Sequence, residues 1–172
     1  MTADLNPAAS GHGSGHGSGH GSGGGHGGSP GQSRRGLSRR LTVQAIYQWL
    51  VNETAPESLI RQFREQPEGF GRADVEYFSA LLNGAIADAS ELTLSFVPYL
   101  DRPLIQLDPV EHAILLLGAY ELLHCPDVPW KVVVNEAVNL AKTFGAEDGF
   151  KFVNGVLDKL AHQVRTEEMG GR

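Results

Sequence analysis

The chain has almost none of the features on which covalent or metal chemistry is usually built. Its 172 residues include a single cysteine, Cys125, so no intrachain disulfide can form. That usage fits a reducing cytoplasm, and a lone cysteine of this kind reads as a small packing residue. Long apolar runs are missing as well. Nothing approaches the roughly 20 residues of a membrane span, and the N-terminus lacks the apolar core of a signal peptide, so no membrane association is expected. There is no G-x-S-x-G elbow, no glycine loop leading into a lysine, and no nucleophile context around Cys125. Glu111-His112 lacks the H-E-x-x-H spacing that sets two imidazoles on one helical face, and His124 stands alone near a helix end. Catalytic residues, metal ligands and cofactors are all predicted absent, and the chain does not read as an enzyme.

No alternating run is long enough for a convincing strand. Helical periodicity recurs instead, and predicts an all-α fold of about seven helices. The first spans about 38–51, with Val43, Ile46, Tyr47 and Leu50 on one face. A second starts near Thr54, where Thr54 and Glu57 form a capping-box pattern, and stops before Pro67. The third, about 72–88, carries Val75, Phe78, Leu82 and Ile86; the fourth, about 90–100, carries Leu92, Leu94 and Val97. Asp108-Pro109-Val110-Glu111 has the N-cap, N1 and N3 residue types of a strong helix start, ahead of a stripe of Val110, Ala113, Ile114, Leu117 and Tyr120. This fifth helix is predicted to be central. Two more stripes follow, Val134, Ala137, Val138, Ala141 and Phe144, then Phe152, Val153, Val156, Leu157 and Leu160. They read as an antiparallel hairpin turning at Gly145, where a left-handed C-cap is expected. A break near 88–90 divides the domain into two packed sub-bundles, about 38–88 and 89–165.

Residues 1–33 form a Gly/Ser/His-rich head that has little to bury and is expected to be disordered. Its His12, His16, His20 and His26 offer no preorganised geometry, so no metal site is assigned to them. The folded domain is placed at 34–165, and 166–172 is expected as a flexible tail. The formal net charge is -6 at pH 7, yet Arg34, Arg35, Arg39 and Arg40 fall within seven positions. Local charge at the contact governs attraction to phosphate, so an acidic protein can still bind nucleic acid through such a patch. The plain alternative is a solvated run that merely begins a helix.

The hairpin carries polar residues that need a reason. Asn135, Glu136 and Asn154 sit in helical stretches, where a hydrogen bond to a neighbouring helix end or loop is expected to hold them. Glu147-Asp148 reads as a solvated helix start. Lys151 and Phe152, with Asp148 one turn earlier, combine a cation, an aromatic plane and helix-terminal N–H groups, the mixture that holds single-stranded RNA. Core packing is the alternative for Phe152.

Asp127-Val128-Pro129-Trp130-Lys131 and the stretch from Val134 to Leu160 resemble the C-terminal signature of the NusB family of transcription antitermination factors. Arg39-Arg40 with Val43-Gln44-Ala45-Ile46-Tyr47, Tyr77-Phe78, Leu81-Leu82-Asn83-Gly84, Pro98-Tyr99-Leu100-Asp101-Arg102 and Val110-Glu111-His112-Ala113-Ile114-Leu115 resemble the family in the same order. The likeness covers about 34–164. It implies a non-enzymatic factor that binds boxA RNA of nascent ribosomal RNA transcripts together with NusE, a small-subunit ribosomal protein, within an antitermination complex of RNA polymerase and other Nus factors. It implies RNA contacts at Arg34, Arg35, Arg39, Arg40, Tyr99, Asp148, Lys151 and Phe152, and a NusE contact at Glu111, with Tyr47 and Arg102 as weaker members. Glu111 is equally explained as the capping-box residue of its helix. The resemblance is compatible with a monomer or a homodimer. NusB-like domains also resemble the N-terminal part of certain RNA cytosine methyltransferases, so the alternative is a helical RNA-binding or protein-interaction module serving an RNA-modifying enzyme.

Overall fold

A computed structural model describes residues 33–170, and every described regular element is helical. The Gly/Ser/His-rich head lies outside the described residues, apart from Ser33. Helices α1 (Arg34–Asn52), α2 (Pro56–Glu65), α3 (Val75–Ala87) and α4 (Ala89–Phe96) are followed by two single 3-10 turns, Val97–Tyr99 and Leu104–Gln106. Then come α5 (Pro109–His124), α6 (Trp130–Phe144), α7 (Gly149–Val164) and α8 (Thr166–Gly170).

Helix α5 is the axle. Asp108 caps it, its carboxylate accepting from the Val110 N–H at 2.8 Å, and Pro109 follows at the first helical position. The sequence predicts one apolar stripe here, but every residue from Ala113 to Ala119 is buried. Its neighbours account for that: α1, α3, α4, α6 and α7 all pack against it, and a helix enclosed on all sides must be apolar all round. At Gly118 the approach is close enough that a Cβ would stand 2.6 Å from the Leu157 side chain of α7. Phe63, Phe78, Phe96, Ile46 and Leu92 bring the outer helices into the same continuous core.

Several boundaries differ from the sequence reading, each for a local reason. Helix α1 starts four residues early, because the Ser33 hydroxyl accepts from the Gly36 N–H at 2.9 Å and so opens a turn through the arginines. The Thr54–Glu57 capping box does not form; Ala55 holds the N-cap position and Pro56 begins α2 with its φ already set for a helix. Gly145 is not left-handed. It is extended, at φ -84° and ψ 172°, and its need for a missing side chain is steric: a Cβ would lie 2.6 Å from the Ala141 carbonyl oxygen. The left-handed residue of this turn is Asp148, at φ 64°.

The segment expected as a tail begins instead with α8, and Arg165 explains why. Its buried guanidinium donates to the carbonyls of Leu122 (2.7 Å), Val128 (3.0 Å), Glu121 (3.0 Å) and Cys125 (2.9 Å). Those oxygens lie at the C-terminus of α5 and in the loop after it, where Glu121 and Cys125 also accept from the backbone N–H groups of Cys125 and Val128. Glu168 accepts from Arg165 at 2.6 Å and from the Trp130 N–H at 2.8 Å, which ties α8 to the start of α6.

Candidate nucleic-acid interface

The four arginines of α1 do not share a surface. Helical periodicity turns Arg39 inward, where only 3% of it is exposed and its Nε donates to the Glu121 carboxylate at 2.8 and 3.1 Å. Tyr77 donates a hydrogen bond to the same carboxylate and accepts one from Arg39 at 3.3 Å. Arg39 is therefore withdrawn from the predicted RNA contacts: a buried cation paired this way cannot turn to a phosphate without abandoning Glu121. Burial pushes the Glu121 carboxyl above its ordinary range despite the opposing pull of Arg39.

The other three stay exposed and diverge. Arg34 donates from Nε to the Arg72 carbonyl at 3.3 Å, and Arg35 lies over the Tyr77 ring at 4.3 Å while meeting Asp127 at 3.3 Å. Arg40 lies over the Phe144 ring, 5.3 Å from its centre, and so reaches the end of α6. There it joins the turn that the sequence singled out.

Around that turn, cations and aromatic planes alternate. Lys142 and Lys151 approach the Phe150 ring at 5.0 and 5.8 Å, and Lys151 meets Asp148 at 3.1 Å on an open surface. Arg102 lies over the Phe152 ring at 4.2 Å and pairs with Asp101 at 2.7 Å. Phe152 is half-buried, with its face covered by a cation rather than sealed in the core. Lys142 and Phe150 were not singled out by the sequence reading. Their signal was a lysine in the last turn of one stripe and an aromatic next to Lys151 in the other, on the two sides of one short turn.

Tyr99, half-buried in the first 3-10 turn, faces α7 further along, beside Asp158, Lys159, His162 and Gln163. Glu111 is buried and does not close a capping box. Its carboxylate turns to the start of α7, where a Cβ on Gly149 would come within 2.6 Å of Oε1. Burial raises its pKa above the ordinary carboxylate range, with Asp108 adding to the rise and Arg102 opposing it. Tyr47 is 40% exposed and lines an apolar groove of about 410 Å3 with Val43, Phe63, Val110 and Phe144. Asn135 and Asn154 are exposed, and neither side chain enters a hydrogen bond among the described residues, against the expectation that such bonds would hold them.

Half-burial pushes the Cys125 thiol up to about 11, which leaves it protonated and unreactive near neutral pH. Among the described residues no three His, Cys, Asp or Glu side chains converge as a metal site, and no helix is long and apolar enough to cross a membrane.

Comparison with known proteins gives this arrangement its context. The model of the NusB family matches residues 37–162. The chain belongs to the NusB family. It is 54% identical over 141 residues to the transcription antitermination protein NusB of Ralstonia nicotianae, covering 82% of this chain and 90% of the relative. The Thiobacillus denitrificans protein of the same name is 50% identical over 135 residues, covering 78% of this chain and 92% of the relative. Among solved structures, T. maritima NusB aligns with a TM-score of 0.69 at 27% identity, covering 78% of this chain and 96% of that one. A structure of the antitermination factors NusB and NusE in complex with double-stranded RNA aligns with a TM-score of 0.65 at 24% identity, covering 76% of this chain and 97% of that one. NusB-family membership makes this a non-enzymatic transcription antitermination factor.

Proposed function

We propose that this factor binds the boxA element of nascent ribosomal RNA transcripts together with NusE, in the cytoplasm, and supports termination-resistant transcription by RNA polymerase with other Nus factors. The observation that carries the RNA half of this reading is the border of the α6–α7 turn, where Arg40, Lys142, Lys151 and Arg102 stand over Phe144, Phe150 and Phe152. Cations take phosphates and aromatic faces take unpaired bases, so such a border suits a single strand without a catalytic group. The solved complex of the antitermination factors NusB and NusE with double-stranded RNA supports RNA and NusE as partners.

Within this reading Arg34, Arg35, Arg40 and Lys151 neutralise phosphate, while Phe152 and Tyr99 offer stacking faces. Asp148 fixes the turn and steadies Lys151. Tyr47 and Arg102 are exposed enough to touch NusE, and Glu111 lies buried beside the start of α7, behind that contact. Two modest surfaces on one heterodimer reinforce each other, because the second contact becomes intramolecular.

The test is RNA binding by the full chain with and without NusE. Affinity for boxA above a scrambled RNA, increased by NusE, is the expected result. Equal affinity for the two RNAs would sink the assignment.

A further inference from the structure

Tyr77 stands between the buried and the exposed arginines of α1. It lies in the first turn of α3, where the Asp74 carboxylate accepts from its N–H at 3.0 Å. Its hydroxyl donates to the buried Glu121 carboxylate, and burial, with Glu121 alongside, pushes that hydroxyl above its ordinary range, so it stays a donor. The ring is thus held through the backbone at one end and the hydroxyl at the other. One turn of α1 separates Arg35 from Arg39, so the two share a helical face and both meet this ring. Arg39 approaches it from the core, at 5.4 Å; Arg35 covers it from the solvent side, at 4.3 Å.

Arg35 has a second neighbour. Its Nη1 meets Asp127 Oδ2 at 3.3 Å, with the two side chains 46% and 67% exposed. An exposed pair of this kind contributes little to stability and weakens with salt. Asp127 is nevertheless held in place by the residue after it: Val128 is buried, its N–H donates to the Cys125 carbonyl at 3.0 Å, and its own carbonyl accepts from Arg165 at 3.0 Å. A guanidinium held over a ring keeps N–H donors free at its edge, and it gives up less rotamer freedom when an oxyanion arrives. Arg35 therefore sits in a cradle of one aromatic face and one replaceable carboxylate.

We propose that Tyr77 is a positioning residue for RNA binding: its ring holds the Arg35 guanidinium out at the surface, and Asp127 is a resting counter-ion that a phosphate of the bound RNA replaces. The cradle rests on the RNA-binding reading given above. Tyr77 touches no RNA and acts through Arg35. Its ring also joins the exposed cation to the buried pair of Arg39 and Glu121, so the two halves of the arginine run are linked by one side chain. Exchange of Asp127 for phosphate is favoured because a neutralised phosphate releases its condensed counterions, whereas a lone carboxylate has none to release.

Two substitutions separate the ring from the hydroxyl. Tyr77→Phe should lower the melting temperature, because Glu121 loses a buried donor, yet rescue binding of labelled boxA RNA by the full chain with NusE to within about twofold. Tyr77→Leu removes the ring as well, and RNA binding should weaken by about three- to fivefold, the size of an exposed cation–aromatic contact. In an Arg35→Ala background the same change should bring no further loss. Asp127→Asn alters only the open surface; it should strengthen RNA binding by about twofold at low salt, a gain that fades as salt rises and is absent in Arg35→Ala. Equal losses for Tyr77→Phe and Tyr77→Leu, a loss from Tyr77→Leu that persists without Arg35, or no gain from Asp127→Asn would each overturn the cradle. Should Tyr77→Leu fail to fold, the Asp127→Asn measurements decide alone. If Arg35→Ala binds RNA as tightly as the unaltered chain while Lys151→Ala does not, the cradle is refuted and the RNA reading stands. If the unaltered chain with NusE does not prefer boxA to a scrambled RNA, both fall.

Discussion

The first turns of α1 and the turn between α6 and α7 are both rich in charge, and they use it in opposite ways. In α1 the densest run of arginines in the chain is divided by the helix, with Arg39 buried against Glu121 and Arg34, Arg35 and Arg40 pointing out in different directions. Around the α6–α7 turn the cations are fewer and farther apart in sequence, but Lys142, Lys151 and Arg102 all stand over rings on the surface. Charge density along a sequence is thus a poor map of charge density in space. A helix sends neighbouring residues to different sides, whereas a turn between two helices gathers residues from both.

The largest effect expected on either side of this contrast is on stability. Arg39→Met strands the Glu121 carboxylate in the core, and breaking a buried pair from one side costs about 3–5 kcal/mol. Urea unfolding should show that loss, and Arg39→Met combined with Glu121→Met should recover most of it, since a well-packed apolar pair of similar volume is close to neutral. A loss of RNA binding by Arg39→Met with stability unchanged would put Arg39 back on the surface and erase the contrast.

Next comes Phe152→Ala. Removal of one stacking face costs about 1–3 kcal/mol of RNA affinity. The melting temperature should fall far less than for a core phenylalanine such as Phe78, because Phe152 is half-buried and Phe78 is fully enclosed. Third, converting Arg34, Arg35 and Arg40 together to alanine should lower the slope of log affinity against log salt by about 2, at roughly 0.7 per phosphate released from a single strand. An unchanged slope would leave the α6–α7 border as the whole of the electrostatic surface.

The residues also show which features were readable in advance. Asp108-Pro109 started α5 where it stood, and the stripes of α6 and α7 were visible because one face of each helix packs while the other does not. The burial of every residue from Ala113 to Ala119 was not readable as a stripe, since that part of α5, packed by five other helices, has no polar face to mark its period. Arg39 and Arg165 were missed for a shared reason. Each becomes a buried group through partners at least 37 residues away, Glu121 for one and the end of α5 for the other, and such distant pairing leaves no local trace. Lys142 and Phe150 were equally hidden, because their meeting depends on how tightly the turn at Gly145 closes.

The smallest expected effect is also the one that looks most closely at the buried half of the contrast. Glu121 has a folded-state pKa raised above its ordinary value, with burial the leading cause. A carboxyl in that condition holds its proton more tightly in the folded chain than in the unfolded one, so the associated stability is full below the unfolded value and is lost as pH rises through the folded value. Arg39 and the Tyr77 hydroxyl oppose that loss in the native protein. With Arg39→Met the opposition weakens, and the defect should be greatest near neutral pH and shrink as pH is lowered toward the ordinary glutamate value of about 4.5. Unfolding of Arg39→Met and of the unaltered chain at matched pH values separates this from the general acid sensitivity of the fold, which is common to both. A difference between them that is flat with pH would mean that Glu121 escapes to water once Arg39 is gone. In that case the pair is a surface contact with a long reach, and the two charged regions of the molecule differ less than their exposures suggest.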